Sequence, residues 1–407
     1  MDKNNLELYI HMPFCVKKCE YCDFLSFPAD TNTQIKYVHA LLNEIRFYGE
    51  KMRGFRVSTI YIGGGTPSWL EPELVTAVMD QIYKSFQVYE DAEISIECNP
   101  GTVTAAKLQA YRRAGINRLS IGLQSTNNTE LKTLGRIHTY EQFLKTYELA
   151  RNEGFTNINV DLMSALPGQT LETYLDTLEK VQKLSPEHIS AYSLIIEEGT
   201  PFYDTYHQAD LQRDRDGVDR MGLLPSEEEE RAMYEATKRI LAGHGYERYE
   251  ISNYAKAGKE CRHNLVYWKR GNYLGLGLGA SSMVDETRWK QTEHLEEYLY
   301  KYGEATGNRK AGEDRRPEMI PLKKSQSEKF HLSKQEQMEE FMMLGLRMMS
   351  GVSPEEFKKN FSVSVFQMYG EVLEHYQKLG LLEVSDQRIR FTDAGIDVSN
   401  VILADFL

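Results

Sequence analysis

The chain has 407 residues, 41 % of them hydrophobic and 27 % charged, and a formal charge of −12. That length exceeds the roughly 250 residues at which one core stops growing, so a large domain plus a smaller one is expected, and the composition excludes disordered and fibrous classes. The acidic balance, with no long Lys/Arg block, argues against a dominant nucleic-acid footprint and leaves room for a local basic site.

No run of about 18 apolar residues argues for a membrane span, and Met1-Asp2-Lys3-Asn4-Asn5 leads into no apolar targeting core. A cytoplasmic protein is the expectation. Five cysteines, three of them within eight residues, make a poor disulfide framework. A reducing compartment and a metal site suit them better.

In chain order, short β-branched or alternating runs at 6–11, 57–62, 93–97, 118–123, 157–162 and 188–194 read as strands. Helical patterns lie between them around 33–50, 71–86, 104–113, 139–153 and 170–184, several opened by Asp, Ser, Thr or Pro in capping positions. Strand alternating with helix implies right-handed crossovers and a parallel sheet, and six such units can curl into a partial barrel over residues 1–200. The residues just past each strand are more telling. The cysteine cluster, then Gly63-Gly64-Gly65-Thr66-Pro67, Glu97, Gln124 and Asp161 all fall at carboxyl ends. In barrels and open α/β sheets alike, that edge carries the ligand site.

After residue 200 the pattern changes. Residues 207–231 are charge-rich, 226–244 read as a capped amphipathic helix, and 246–290 hold aromatic, Gly-rich and strand-forming segments. Residues 201–302 are therefore read as an extension of the barrel with extra β structure. The polar stretch 303–330 reads as a linker or excursion. Residues 331–407 form a smaller domain, with helices at 333–350, 354–360 and 364–379 before a hairpin at 382–392. That order suggests a winged-helix-like shape, but acidic residues outnumber basic ones nine to five over 353–407, against a DNA-binding wing.

The segment Cys15-Val16-Lys17-Lys18-Cys19-Glu20-Tyr21-Cys22 comes directly after the first strand. Three thiolates at these spacings can each ligate a different iron of one [4Fe–4S] cubane, leaving the fourth iron open to an exogenous ligand. Zinc with His11 or Asp23 as fourth ligand is the alternative reading of the same residues.

This cysteine loop resembles the signature of the radical S-adenosylmethionine (SAM) superfamily, in which the amino and carboxylate groups of SAM chelate the open iron and an electron from the cluster generates a 5′-deoxyadenosyl radical. Tyr9-Ile10-His11-Met12-Pro13-Phe14-Cys15 and Cys22-Asp23-Phe24 are similar to the branch containing the oxygen-independent coproporphyrinogen III oxidase HemN and the haem chaperone HemW. The likeness continues through Gly63–Pro67, Glu97-Cys98-Asn99-Pro100-Gly101-Thr102, Gly122-Leu123-Gln124-Ser125, Leu134-Gly135-Arg136-Ile137-His138 and Asp161 with Leu166-Pro167-Gly168-Gln169-Thr170. It resumes at His263-Asn264-Leu265-Val266-Tyr267-Trp268 and Gly275-Leu276-Gly277-Leu278-Gly279-Ala280.

The resemblance implies that Cys15, Cys19 and Cys22 hold the cluster and that Gly64, Gly65 and Thr66 contact SAM near its amino end. It implies that Glu97 pairs with the SAM ammonium, for which an ionised carboxylate is suited. Gln124, Arg136 and Asp161 match positions that hold the carboxylate, ribose and neighbouring atoms, and Tyr9 matches a further SAM-site position. Two departures stand out. Ser164-Ala165 occupies the place of an aromatic residue and a glycine in many relatives, and Cys98 lies outside the cluster loop.

Within the branch, the oxidases carry a fourth cysteine one residue after the third and a longer arm before the Tyr; here Cys22 is followed by Asp23-Phe24 and Tyr9 lies near the start. Both features resemble HemW, as does the His-Asn-x-x-Tyr-Trp segment, in which His263 is the candidate haem ligand. The expectation is a chaperone without coproporphyrinogen oxidase activity that carries haem beside a SAM-ligated cluster, draws on an electron donor, and passes haem to an acceptor protein, at the inner face of a membrane where that acceptor is membrane-bound. The alternative is the radical decarboxylase that turns two propionates of coproporphyrinogen III into vinyl groups.

Overall fold

Period-two alternation in six β segments, each followed by a helical stretch, leaves every strand with one apolar and one polar face. A computed structural model describes residues 4–217, 222–303 and 329–407, so the expected linker at 303–330 lies almost wholly outside the described residues. The strands β1 (Asn5–Met12), β2 (Arg56–Gly64), β3 (Gln87–Cys98), β4 (Arg118–Gln124), β5 (Ile158–Ser164) and β6 (His188–Ser193) pair in sequence order, all parallel. Their crossovers contain α1 (Thr31–Lys51), α2 (Pro72–Ser85), α3 (Ala105–Arg113), α4 (Asn128–Thr133) with α5 (Tyr140–Asn152), and α6 (Leu171–Leu184).

The helix starts follow from side-chain caps. Asp30, Thr104, Thr139 and Thr170 each accept a backbone N–H of the first turn, and Thr139 and Thr170 close capping boxes. Each such cap contributes about 1 kcal/mol. β3 is longer than its apolar run predicts. It begins at Gln87, where Gln87 and Val88 pair with Arg56 and Val57, and an irregularity between Val57 and Thr59 absorbs the charged Glu90-Asp91 before regular pairing resumes at Glu93.

The apolar faces build the core. Leu8, Ile10, Ile60, Ile62, Ile94, Ile96, Leu119, Ile121, Val160 and Leu162 are buried in one cluster with the helices. Fully burying side chains of this size stabilises by about 1.5–3 kcal/mol each. The alternate residues, Tyr9, Tyr61, Glu97, Ser120, Asp161 and Ser190, line the concave side of the sheet.

The sheet grows at both edges. On the β6 side, after α7 (Pro201–Asp216) and α8 (Glu227–Gly243), come the short antiparallel strands β7 (Glu247–Arg248) and β8 (Asn253–Ala255). On the β1 side, after α9 (Arg262–Trp268), β9 (Tyr273–Leu276) runs parallel to β1, and β10 (Ser281–Val284), β11 (Thr287–Lys290) and, beyond α10 (Leu295–Tyr302), β12 (Phe330–His331) continue antiparallel. Among the described residues these twelve strands form one unclosed sheet with β12 and β7 at its ends. This is the expected α/β partial barrel with an added β segment.

A second hydrophobic cluster belongs to the C-terminal helical domain: α11 (Lys334–Gly345), α12 (Pro354–Phe361), α13 (Val365–Lys378), the hairpin β13 (Leu382–Val384) and β14 (Ile389–Phe391), and α14 (Asp393–Asp397). Arg270 joins it to the barrel through Glu340 at 3.0 Å. No helix among the described residues is long and apolar enough to cross a membrane.

Candidate functional site

The cysteine loop leaves β1 and returns to α1. Its two limbs are zipped together, with Cys15 N donating to Phe27 O at 3.1 Å and Phe27 N to Pro13 O at 2.9 Å. The next strand end is tied to the same limb: Gly65 N donates to Met12 O (2.8 Å) and Thr66 N to Phe14 O (2.7 Å). Farther along the loop, Glu20 N donates to Leu134 O, and Phe202 N, at the start of α7, donates to Glu20 O. The three cysteines are therefore held by hydrogen bonds from four separate parts of the chain.

Two side chains reach the thiols from outside the loop. Thr66 Oγ1 stands 3.6 Å from Cys15 Sγ, and Arg136 Nη1 stands 3.6 Å from Cys19 Sγ. Arg136 is fixed in turn by Nη2, which donates to Gly122 O at 2.6 Å and to Asn99 Oδ1 at 3.0 Å, while its Nε is buried without a hydrogen-bond partner among the described residues. The Arg136 guanidinium thus sets a fixed positive charge beside one sulfur of the loop. Burial and the neighbouring Cys19 and Cys15 push the Cys22 thiol up.

Within the lumen, Glu97 Oε1 accepts from the Tyr61 hydroxyl at 3.1 Å and Oε2 accepts from Gly64 N at 3.0 Å. Burial, reinforced by the Asp161 carboxylate, raises the Glu97 carboxyl to about 7. Asp161 is itself shifted up by burial, and it accepts from Asn159 at 2.7 Å and from Ser120 at 3.4 Å. Gln124 has a φ of 74° and accepts from the Tyr192 hydroxyl at 3.2 Å. The Tyr9 hydroxyl meets His11 Nδ1 at 3.0 Å. Two unlike charge types thus come to one edge of the sheet: carboxyl groups at Glu97 and Asp161, and a guanidinium at Arg136, which is bonded to Gly122 O on β4 beside Asp161. A zwitterionic ligand with an ammonium and a carboxylate matches them.

The glycines make room. Gly64 has a φ of 115°, and a Cβ there would lie 2.6 Å from the His11 ring; at Gly65 it would lie 2.7 Å from Phe14 O. Backbone this close to its neighbours admits no side chain. The structure also bears on the Ser164-Ala165 departure. Ala165 adopts a φ of 57°, the left-handed backbone that favours glycine.

The donor set fits a sulfur-ligated cluster better than zinc. His11, the nitrogen ligand zinc would need, has both ring nitrogens engaged, by Tyr9 and by Leu25 O at 2.9 Å, and Asp23 is exposed. Among the described residues no three His, Cys, Asp or Glu side chains converge as the ligands of a single ion do.

Of the residues singled out in the sequence, Tyr9, Cys15, Cys19, Cys22, Gly64, Gly65, Thr66, Glu97, Gln124, Arg136 and Asp161 gather at the carboxyl ends of the strands or in the lumen beneath. His263 does not. It sits on α9 against the amino ends of β1, β2 and β3, 1 % exposed, with Nδ1 2.6 Å from Thr59 Oγ1 and Nε2 3.0 Å from the Tyr267 hydroxyl. Burial, with the Arg118 cation behind it, lowers the ring to about 3, so it is neutral. Both nitrogens have partners inside the fold, so ligating haem iron from this position would mean giving one of them up. Tyr61 and Asn99, which touch Glu97 and Arg136, went unread in the sequence. The alternation that makes Tyr61 face the same side as Glu97 was the available signal.

Residues 9–181 match the Radical SAM superfamily and residues 332–398 match the HemN C-terminal domain. The heme chaperone HemW of Lactococcus lactis subsp. lactis (strain IL1403) is 37 % identical over 404 residues, covering 98 % of this chain and 96 % of that one. The heme chaperone HemW of Bacillus subtilis (strain 168) is 34 % identical over 400 residues, 98 % of each chain. Among solved structures, coproporphyrinogen III oxidase (HemN) from Escherichia coli, described as a radical SAM enzyme, aligns with a TM-score of 0.80 at 24 % identity, over 99 % of this chain and 90 % of that one. That last likeness concerns the fold.

Proposed function

The chain belongs to the HemN/HemW branch of the radical SAM superfamily, and on that basis we propose that it is a haem chaperone that holds a SAM-ligated [4Fe–4S] cluster and hands haem to an acceptor protein. The reading rests on one observation above the others: Thr66, just past the end of β2, and Arg136, between α4 and α5, each stand 3.6 Å from a thiol of the same loop. Residues 1–200 carry that site, 201–302 extend the barrel with the His263 helix, and 331–407 form the accessory domain.

In this proposal Cys15, Cys19 and Cys22 would hold three irons of the cluster as thiolates, leaving the fourth for the amino and carboxylate groups of SAM. Glu97 and the backbone of Gly64 and Gly65 receive the ammonium end, Arg136 and Gln124 the carboxylate side, and Tyr9 and Asp161 the rest of the lumen. When bound, the cluster supplies an electron at low potential to the sulfonium. The protein's own part is to set the Arg136 charge beside the Cys19 sulfur, orient SAM between opposite charges, and keep the lumen narrow.

Chaperone is favoured over oxidase by the full-length similarity to relatives that carry the first name and by the end of the loop. Cys22 is followed by Asp23 and by Phe24, whose ring is 64 % exposed, with no further thiol there. No axial ligand for haem is assigned. Anaerobically reconstituted protein should bind haem stoichiometrically and form no protoporphyrinogen from coproporphyrinogen with SAM and reductant. Sustained protoporphyrinogen production would establish the oxidase instead.

A further inference from the structure

The floor of the barrel and the ligand site at its mouth are joined by one column of side chains. The His263 ring stacks under Tyr61, with centroids 5.3 Å apart and planes at 27°. Tyr9 stacks beside Tyr61 at 6.4 Å and 25°. From Tyr61 the column continues through its hydroxyl to Glu97 Oε1, and from Glu97 Oε2 to Gly64 N. Gly63 leaves the slot for it, because a Cβ there would lie 3.0 Å from both Glu97 Cδ and Tyr61 Cε1.

His263 is clamped from below. The single hydroxyl proton of Thr59 goes to Glu7, so the proton between Thr59 and His263 belongs to Nδ1, and Nε2 accepts from Tyr267. The backbone N–H of His263 donates to Glu93 Oε1 at 3.2 Å. A ring held in one tautomer by Thr59 and Tyr267 presents a rigid face, and that face is turned to Tyr61. Side chains locked in this way are what keep a ligand-binding carboxylate in register.

We propose that His263 is a positioning residue for SAM: α9 fixes Tyr61, and Tyr61 fixes the Glu97 carboxylate that receives the ammonium group. The inference rests on the reading of the lumen as the SAM site and deepens it, since it gives the His-Asn-x-x-Tyr-Trp helix a part in SAM binding.

Two variants test it. Tyr61→Phe keeps the ring and removes the donor to Glu97, whereas His263→Gln keeps polar partners for Thr59 and Tyr267 and removes the stacking face. On anaerobically reconstituted full-length protein, iron content, haem stoichiometry, the SAM dissociation constant and the SAM-induced change in the EPR spectrum of the reduced cluster are measured together. Both variants should keep wild-type iron and haem, bind SAM roughly tenfold more weakly, and show an altered EPR change at saturating SAM. The double variant should lose no more than the worse single one, because both act through one carboxylate. Should His263→Gln fail to fold, Tyr61→Phe still decides. Wild-type SAM affinity in the variants overturns the inference, as does loss of haem in His263→Gln with SAM binding intact. Absence of SAM binding in the wild-type protein overturns the site reading itself, and the inference with it.

Discussion

Arg136 Nη1 and Cys19 Sγ lie 3.6 Å apart although 117 residues separate them in the chain. A fixed positive charge at a cluster ligand favours the state with the extra electron. Arg136→Gln should therefore retain iron and lower the reduction potential by on the order of 50 mV, which corresponds to about 1 kcal/mol. Redox titration followed by EPR measures this, and an unchanged potential would remove Arg136 from any electronic role.

Cys15, Cys19 and Cys22 are expected to be equivalent as ligands. Replacing any one by Ser should abolish cluster assembly, whereas Cys98→Ala and Cys261→Ala, both buried away from the loop, should leave iron intact. Iron and sulfide analysis after reconstitution checks this. A full complement in a Cys19→Ser protein would contradict the ligand set.

Glu97 makes SAM binding depend on pH. Its carboxyl ionises near 7 in the ligand-free fold, against about 4.5 unfolded, so the native state holds the proton between those values. Stability from this group is present at low pH and falls as pH rises through that window. Binding an ammonium needs the ionised form. SAM affinity should thus strengthen with pH up to about 7, by up to about tenfold per pH unit below it, and Glu97→Gln should bind weakly and lose that slope. Calorimetry from pH 5.5 to 8 reads it more cleanly than melting does, because Glu44, buried on α1, is also raised to about 7 by burial.

Gly64→Ala should cost about 2 kcal/mol of stability, since the residue must hold a φ of 115° with its Cβ 2.6 Å from a His11 ring that Tyr9 and Leu25 pin in place. SAM binding should be lost with it. Gly54→Ala, where nothing lies within 4 Å of the added carbon, is the control. Thermal melts and SAM titrations of the pair test the contrast.

Ala165→Gly should act in the opposite sense. Relieving a φ of 57° at a non-glycine residue should raise stability by about 0.5–1 kcal/mol. A lower midpoint in chemical denaturation would show that the Ala165 methyl contributes packing that outweighs the strain.

Much of the fold was legible because its determinants are local. The caps at Thr104, Thr139, Thr170 and Ser226 set helix starts within one residue of the sequence reading, and alternating apolar residues identified six strands. Where the reading fell short, partners distant in sequence made the decision. β3 starts at Gln87 because β2 offers a mate across the charged Glu90-Asp91. Helix α7, capped by Thr200, has no counterpart in the sequence reading, which noted only that residues from 207 on are charge-rich.

The candidate site divides in the same way. The sequence alone determined the donor types: three thiols at cluster spacing, a glycine loop, and Glu97, Gln124 and Asp161 at successive strand ends. These follow from residue identity and from the rule that parallel strands bring their carboxyl ends to one edge. The tertiary structure decided what each donor meets. It aimed Arg136 at Cys19, set Tyr61 against Glu97, and sealed His263 under the floor against Thr59, 204 residues away in the chain. A histidine's chemistry is set by whether its nitrogens are taken, and those partners come from packing between distant elements, which no local pattern encodes.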